Sequence, residues 1–143
     1  MKKWLKIVGL MMAVVAVWVV LLWLKDRLEF SQESNERLGL VAVNSLYSFE
    51  DLAQLDRQMV TLKEVTSEEV FNQLTLDYEE RSLGTYLKFK GKPTHVKIIR
   101  STEKYVLYSL DNENIAGNRV FLFTFEVENG KITEVWEAEC YGF

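Results

Sequence analysis

Three spacings of apolar residues succeed one another along the chain. From Ile7 to Leu24 there is neither a charge nor a period, and Val, Ile and Leu fill most of the run. As a helix it would span roughly 27 Å, or about 31 Å with Trp4 to Lys6 included, close to a bilayer core of about 30 Å. At roughly −0.3 to −0.6 kcal/mol each on an insertion scale, the Val, Ile and Leu side chains together supply about −3 to −6 kcal/mol. The run is therefore expected to be a transmembrane signal anchor. The competing reading is a cleaved signal peptide, prompted by the N-terminal position and the Met1-Lys2-Lys3 opening. Against it, the run exceeds the usual signal-peptide length, and its small residues Ala13 and Ala16 lie inside it rather than after Leu24. Cys140 is too distant for a lipid-modified cysteine next to the segment.

From Ser31 the spacing becomes three and four, through Leu38, Val41, Leu46, Phe49, Leu52, Leu55 and Met59, which predicts amphipathic helix. The anchor helix is free to run on into it, and Ser48 followed by Glu50 and Asp51 offers a restart after a break near Asn44 to Ser48. Thr66 with Glu69 three residues on reads as a capping box that opens a short helix through Val70, Phe71 and Leu74. After Gly84 the period falls to two and β-branched and aromatic residues take over, predicting strands at about 85–90, 94–101, 104–110, 119–128 and 131–141. Asn129-Gly130 is a two-residue turn. A regular ladder from it pairs Val127 with Ile132, Phe125 with Glu134, Phe123 with Trp136 and Phe121 with Ala138. That puts Phe121, Phe123, Phe125 and Val127 on one apolar face with Ile132, Trp136, Ala138 and Cys140.

Charge adds orientation. Up to position 30 the chain holds five basic and two acidic side chains (net +3), and from position 31 onward it holds twelve and nineteen (net −7). Lys2, Lys3 and Lys6 precede the apolar run, so the N-terminus is expected in the cytoplasm and residues 31–143 outside it, in a single-pass arrangement with 1–30 as tail and anchor. An acidic outer domain argues against nucleic acid as a partner. A lone cysteine precludes an internal disulfide, and no Pro/Gly/Ser-rich linker or repeat divides the stretch from Ser31 to Phe143, so one outer domain is expected.

Helices followed by a meander of four to five antiparallel strands with one apolar face predict an α+β fold in which the helices cover a curved sheet. With the stretches TYLKFKGKPTHVKII and VFLFTFEVENGKITEVWEAECYGF and the single membrane helix before them, the chain resembles the cystatin-like or nuclear-transport-factor-like roll. Within that group it resembles the small bitopic assembly factors of type IV secretion and Gram-positive conjugation systems. The resemblance implies a cell-envelope protein that works by protein-protein interaction, with other envelope proteins or further copies of itself as partners.

Candidate chemistry is sparse. His95 is the only histidine and Cys140 the only cysteine, so neither has a second base or thiol to work with. They are read as a half-exposed strand residue and a small buried hydrophobe. No catalytic, cofactor-binding or metal site is expected. Glu134, aimed by the regular register at Phe125 and Trp136, is the one candidate for a carboxylate in an apolar pocket; a bulge near Thr133 would instead turn it outward. Tyr86, Tyr105, Tyr108 and Tyr141 read as strand packing. Lys88, Lys90, Lys92, Lys97, Arg100 and Lys104 crowd the early strands, while Glu126, Glu128, Glu134, Glu137 and Glu139 crowd the last two. These either pair across neighbouring strands or form the two halves of a docking surface. The functional expectation is a membrane-anchored, non-enzymatic assembly component. The alternative is an extracytoplasmic binding module, such as an inhibitor, an immunity protein or a small-ligand binder.

Overall fold

No proline interrupts the chain before Pro93. In the computed structural model, which describes residues 2–80, 94–111 and 119–140, helix α1 runs from Lys2 to Tyr47. The chain divides into two compact units, Met1–Glu33 and Ser34–Phe143. In the first, every described side chain is exposed. It carries the apolar run of the one helix, among the described residues, that is long and apolar enough to cross a membrane.

The second unit is α+β. Here the last turns of α1 bury Ala42, Val43 and Leu46. Helix α2, Leu52–Val65, starts on Asp51, whose carboxylate accepts the Gln54 N–H at 2.7 Å. It stops at Thr66, where the backbone turns extended. Both the amide and the hydroxyl of Thr66 point back to the Leu62 carbonyl, at 3.1 and 2.7 Å. Thr66 therefore closes α2 and does not cap the next helix, contrary to the capping-box expectation. That role falls to Ser67, whose Oγ accepts the Val70 N–H at the head of α3, Glu68–Glu80. The physical reason is the bridge that Thr66 makes with Ile132 of the sheet, which commits its backbone before α3 begins.

Strands β1 (His95–Ser101), β2 (Tyr105–Asp111), β3 (Val120–Glu128) and β4 (Lys131–Cys140) form an antiparallel sheet in the order β1-β2-β3-β4. The strand expected at 85–90 lies outside the described residues. Val106, Tyr108, Leu110, Phe123, Phe125, Ile132 and Val135 make the covered face, packed with Leu62, Val70 and Leu74 of the helices. At Gly39 the backbone of α1 comes so close to the sheet that a Cβ there would overlap the Phe125 ring.

The closing hairpin departs from the expected register after one pair. Asn129 and Gly130 both take positive φ, as this turn requires, and Val127 does pair with Ile132. Thr133 is then an extra residue in β4, so Glu126 faces Glu134, Phe125 faces Val135, Phe123 faces Glu137 and Phe121 faces Glu139. The pairings of Phe125 with Glu134, Phe123 with Trp136 and Phe121 with Ala138 are thereby corrected. A one-residue slip sends each later side chain of the strand to the opposite face. Val135 is buried in the place expected for Glu134, Glu137 takes the place expected for Trp136, which is 54% exposed, and Ala138 is exposed as well.

Candidate interaction surface

The slip in β4 has two consequences, one on each face of the sheet. On the covered face it brings in Glu137, which the regular ladder would have left outside. Its carboxylate accepts hydrogen bonds from the Tyr47 hydroxyl of α1 at 2.6 and 2.7 Å and from the Tyr108 hydroxyl of β2. The rings of Tyr47 and Tyr108 stack at 5.5 Å, and Tyr108 stacks in turn on Phe121. Tyr108 is fully buried, and burial first, then the charges of Tyr47 and Glu137, push its phenol well above the ordinary tyrosine value. These bonds commit both phenol protons to one carboxylate, an arrangement that ties α1 to β2 and β4. Tyr108 is thus packing residue and hydrogen-bond donor together. The alternation Val135, Glu137, Glu139 is the signal that could have revealed Glu137, once one extra residue is allowed after the turn.

On the other face the slip turns Trp136 outward beside a set of part-exposed apolar residues. Across β2, β3 and β4 the ladder forms three rows: Tyr105, Thr124 and Trp136; Leu107, Leu122 and Ala138; and Ser109, Val120 and Cys140. Tyr105, Leu107, Val120, Leu122 and Cys140 are part exposed, and none belongs to the core cluster. Cys140, expected in the core, is thus half-buried on this outer face.

Charge borders the apolar rows at opposite corners. Lys97 pairs with Ser109 and Arg100 with Leu107, placing both at the β1 side, whereas Lys104, exposed in the β1–β2 turn, accepts the Phe125 amide on its carbonyl and so lies at the Glu126 end. Glu126 and Glu134, both exposed, stand directly opposite one another at the β3–β4 end. Like charges in that position repel. Among the described residues, none of Lys97, Arg100, Lys104, Glu126 or Glu134 makes a salt bridge. Cross-strand pairing does neutralise Glu139, whose carboxylate meets the Arg119 guanidinium at 2.8 Å, and leaves these five without a salt bridge among the described residues. Lys88, Lys90 and Lys92, the other members of the expected basic surface, lie outside the described residues, as do Tyr86 and Tyr141.

The expected pocket of Glu134, Trp136 and Phe125 is rearranged. An open cleft of about 350 Å³ is lined by Trp136 and Phe125 together with Asn35, Glu103, Lys104 and Glu126, and Glu134 is not among its lining residues. Glu134 is turned outward by the extra Thr133. His95 sits exposed at the start of β1 opposite Asp111. Among the described residues, no group of three or more His, Cys, Asp or Glu could hold a metal ion. No family model, no curated protein and no solved structure matches this chain.

Proposed function

We propose that the chain is a membrane-anchored, non-enzymatic assembly component of a bacterial envelope machine, and that it acts by binding other proteins through the outer face of its sheet. One observation carries the reading: an apolar sheet face outside the core cluster, bordered by charges of both signs that make no salt bridge among the described residues. An apolar centre with a charged rim is the usual anatomy of a protein-binding surface. The apolar run of α1 serves as the single-pass anchor, and the bias of Lys2, Lys3 and Lys6 sets the N-terminus in the cytoplasm. The helix-covered meander is read as a cystatin-like roll, and a conjugative or type IV secretion channel as the machine. The hydrogen bonds of Tyr47 and Tyr108 to Glu137 support a structural role for this cluster, since they tie α1 to β2 and β4.

The test is in-cell photo-crosslinking in the full-length chain. A crosslinking side chain at Leu107 or Trp136 should give discrete adducts with protein. One at Val60, exposed on α2, should not. Equal yields at the three positions, or none at Leu107 and Trp136, would reject the outer face as the docking surface. The cleft beside Trp136 is the observation that would carry the alternative of a small-ligand binder, and a metabolite retained through purification and lost on Trp136→Ala would favour it.

A further inference from the structure

The outer face carries its own complement. Lys97 and Arg100 border one corner of the apolar rows, and Glu126 and Glu134 border the corner diagonally opposite, all four exposed. A two-fold axis lying in the plane of the face and passing between these corners lays the basic corner of one chain over the acidic corner of another. The same axis passes close to Tyr105, which then meets its own copy, while Leu107, in the row of Arg100, comes over Thr124 of the other chain. Interfaces of this isologous kind are the commonest in homo-oligomers, and they require a patch that is self-complementary. Lys104 lines the same cleft as Glu126 without a salt bridge to it, and the opposed pair Glu126 and Glu134 keeps an excess of negative charge that an apolar partner leaves unexplained and a second copy accounts for. From the ladder spacings, the axis runs obliquely to the strands, so the two sheets cross nearer to the orthogonal than to the aligned class of sheet packing.

On these grounds we infer that the occupant of the outer face is a second copy of this chain, packed face to face with Lys97 and Arg100 of each copy over Glu134 and Glu126 of the other. The inference rests on reading that face as a protein-docking surface. Its size sets the strength. Four strands about 4.8 Å apart and roughly 25 Å long present about 500 Å² in projection, below the roughly 800 Å² per partner of standard interfaces. The dimer is therefore weak at dilute concentration and forms when chains share one bilayer, where confinement raises their effective concentration.

The experiment uses the full-length chain in liposomes of neutral phosphatidylcholine, in a Cys140→Ser background. A Lys97→Cys population mixed with a Glu134→Cys population should crosslink through a short bismaleimide at least tenfold more than either population alone. In a second arm, chains labelled at Asp56→Cys report energy transfer between copies. The pair Lys97→Glu with Arg100→Glu, or the pair Glu126→Lys with Glu134→Lys, should raise the chain density for half-maximal transfer at least tenfold. All four substitutions together should restore it, which a misfolded variant would not do. Transfer no greater than that of an inert membrane peptide, with no mixed crosslink, overturns the second copy; outer-face adducts in cells would then leave the docking reading standing with a different partner. Transfer that is insensitive to both reversals also overturns the proposal, by placing self-association on another surface. Mixed crosslinking that never appears, while Lys97→Cys becomes protected when phosphatidylglycerol is added, overturns it in favour of contact with the membrane surface.

Discussion

Glu137 shows how much one side chain can hold. Its carboxylate joins a helix to two strands of the sheet through Tyr47 and Tyr108, and hydrogen bonds to a charged acceptor are worth about 1.5–3 kcal/mol each. Tyr108→Phe should therefore destabilise the fold by about 1–3 kcal/mol in chemical unfolding. The pH dependence has a definite sign. The Tyr108 pKa is raised above its unfolded value near 10, so the folded state keeps a proton that the unfolded state releases. Its contribution is complete below about pH 10 and is lost as pH rises through the folded value. Stability should fall above about pH 10, and the fall should be shallower in Tyr108→Phe. A phenolate absorbance titration in which every tyrosine ionises near pH 10 with the fold intact would contradict this. Gly39 is the second single point of control. Alanine there gains about 1 kcal/mol of helix propensity but puts its Cβ into the buried Phe125 ring, and overpacking costs typically about 1–3 kcal/mol. Gly39→Ala should be neutral to destabilising by up to about 2 kcal/mol, whereas Gly9→Ala, with open space around it, should not lower stability.

At the scale of elements, the bulge at Thr133 decides which residues of β4 matter. Val135 is buried and Trp136 is not. Val135→Ala should cost about 2 kcal/mol, from two lost methylene equivalents and a residual cavity, while Trp136→Ala should cost well under about 1 kcal/mol by the same denaturation midpoint. A larger loss at Trp136 would mean that the regular ladder is right after all. Alternation and positive φ are local properties, so the period-two stretches 94–101, 104–110, 119–128 and 131–141 and the Asn129-Gly130 turn are readable from the residues alone. The bulge is not, since nothing in Ile132-Thr133-Glu134 distinguishes a strand with one extra residue from one without. From that point the inside and outside of the strand exchange: Trp136 and Cys140 go to the outer face, and Glu137 comes in. The Thr66 cap is misread for a similar reason, its backbone being claimed by a contact with Ile132, in a strand remote in sequence. The open outer face can be anticipated only in part. Its charges are visible in the sequence, but their placement at opposite corners depends on strand order and on the bulges at Ile99 and Thr133.

For the molecule as a whole, the proposed anchor makes a quantitative claim. The apolar run is worth about −3 to −6 kcal/mol for insertion, and one arginine at its centre costs about 2.5–3.5 kcal/mol. Val14→Arg with Val17→Arg should therefore cancel insertion. The wild-type chain is expected to stay with membranes through alkaline carbonate washing and the double variant to be released. A reporter fused after Phe143 should be active only outside the cytoplasm; activity inside would reverse the proposed orientation. The sheet's margins bear on what happens to such a protein when it is crowded in a bilayer. Among the described residues the two outer strands are β1 and β4, and each carries a bulge, at Ile99 and at Thr133. Thr94, just before β1, is bonded to Phe49 in both directions, and the Ser67 amide binds the Ile132 carbonyl of β4. A bulge interrupts the regular row of amides and carbonyls that an incoming strand must match, and a bonded end removes part of what is left. Strand-by-strand growth into fibrils is thus obstructed at both margins, and chains held at high density should remain discrete even where their faces meet.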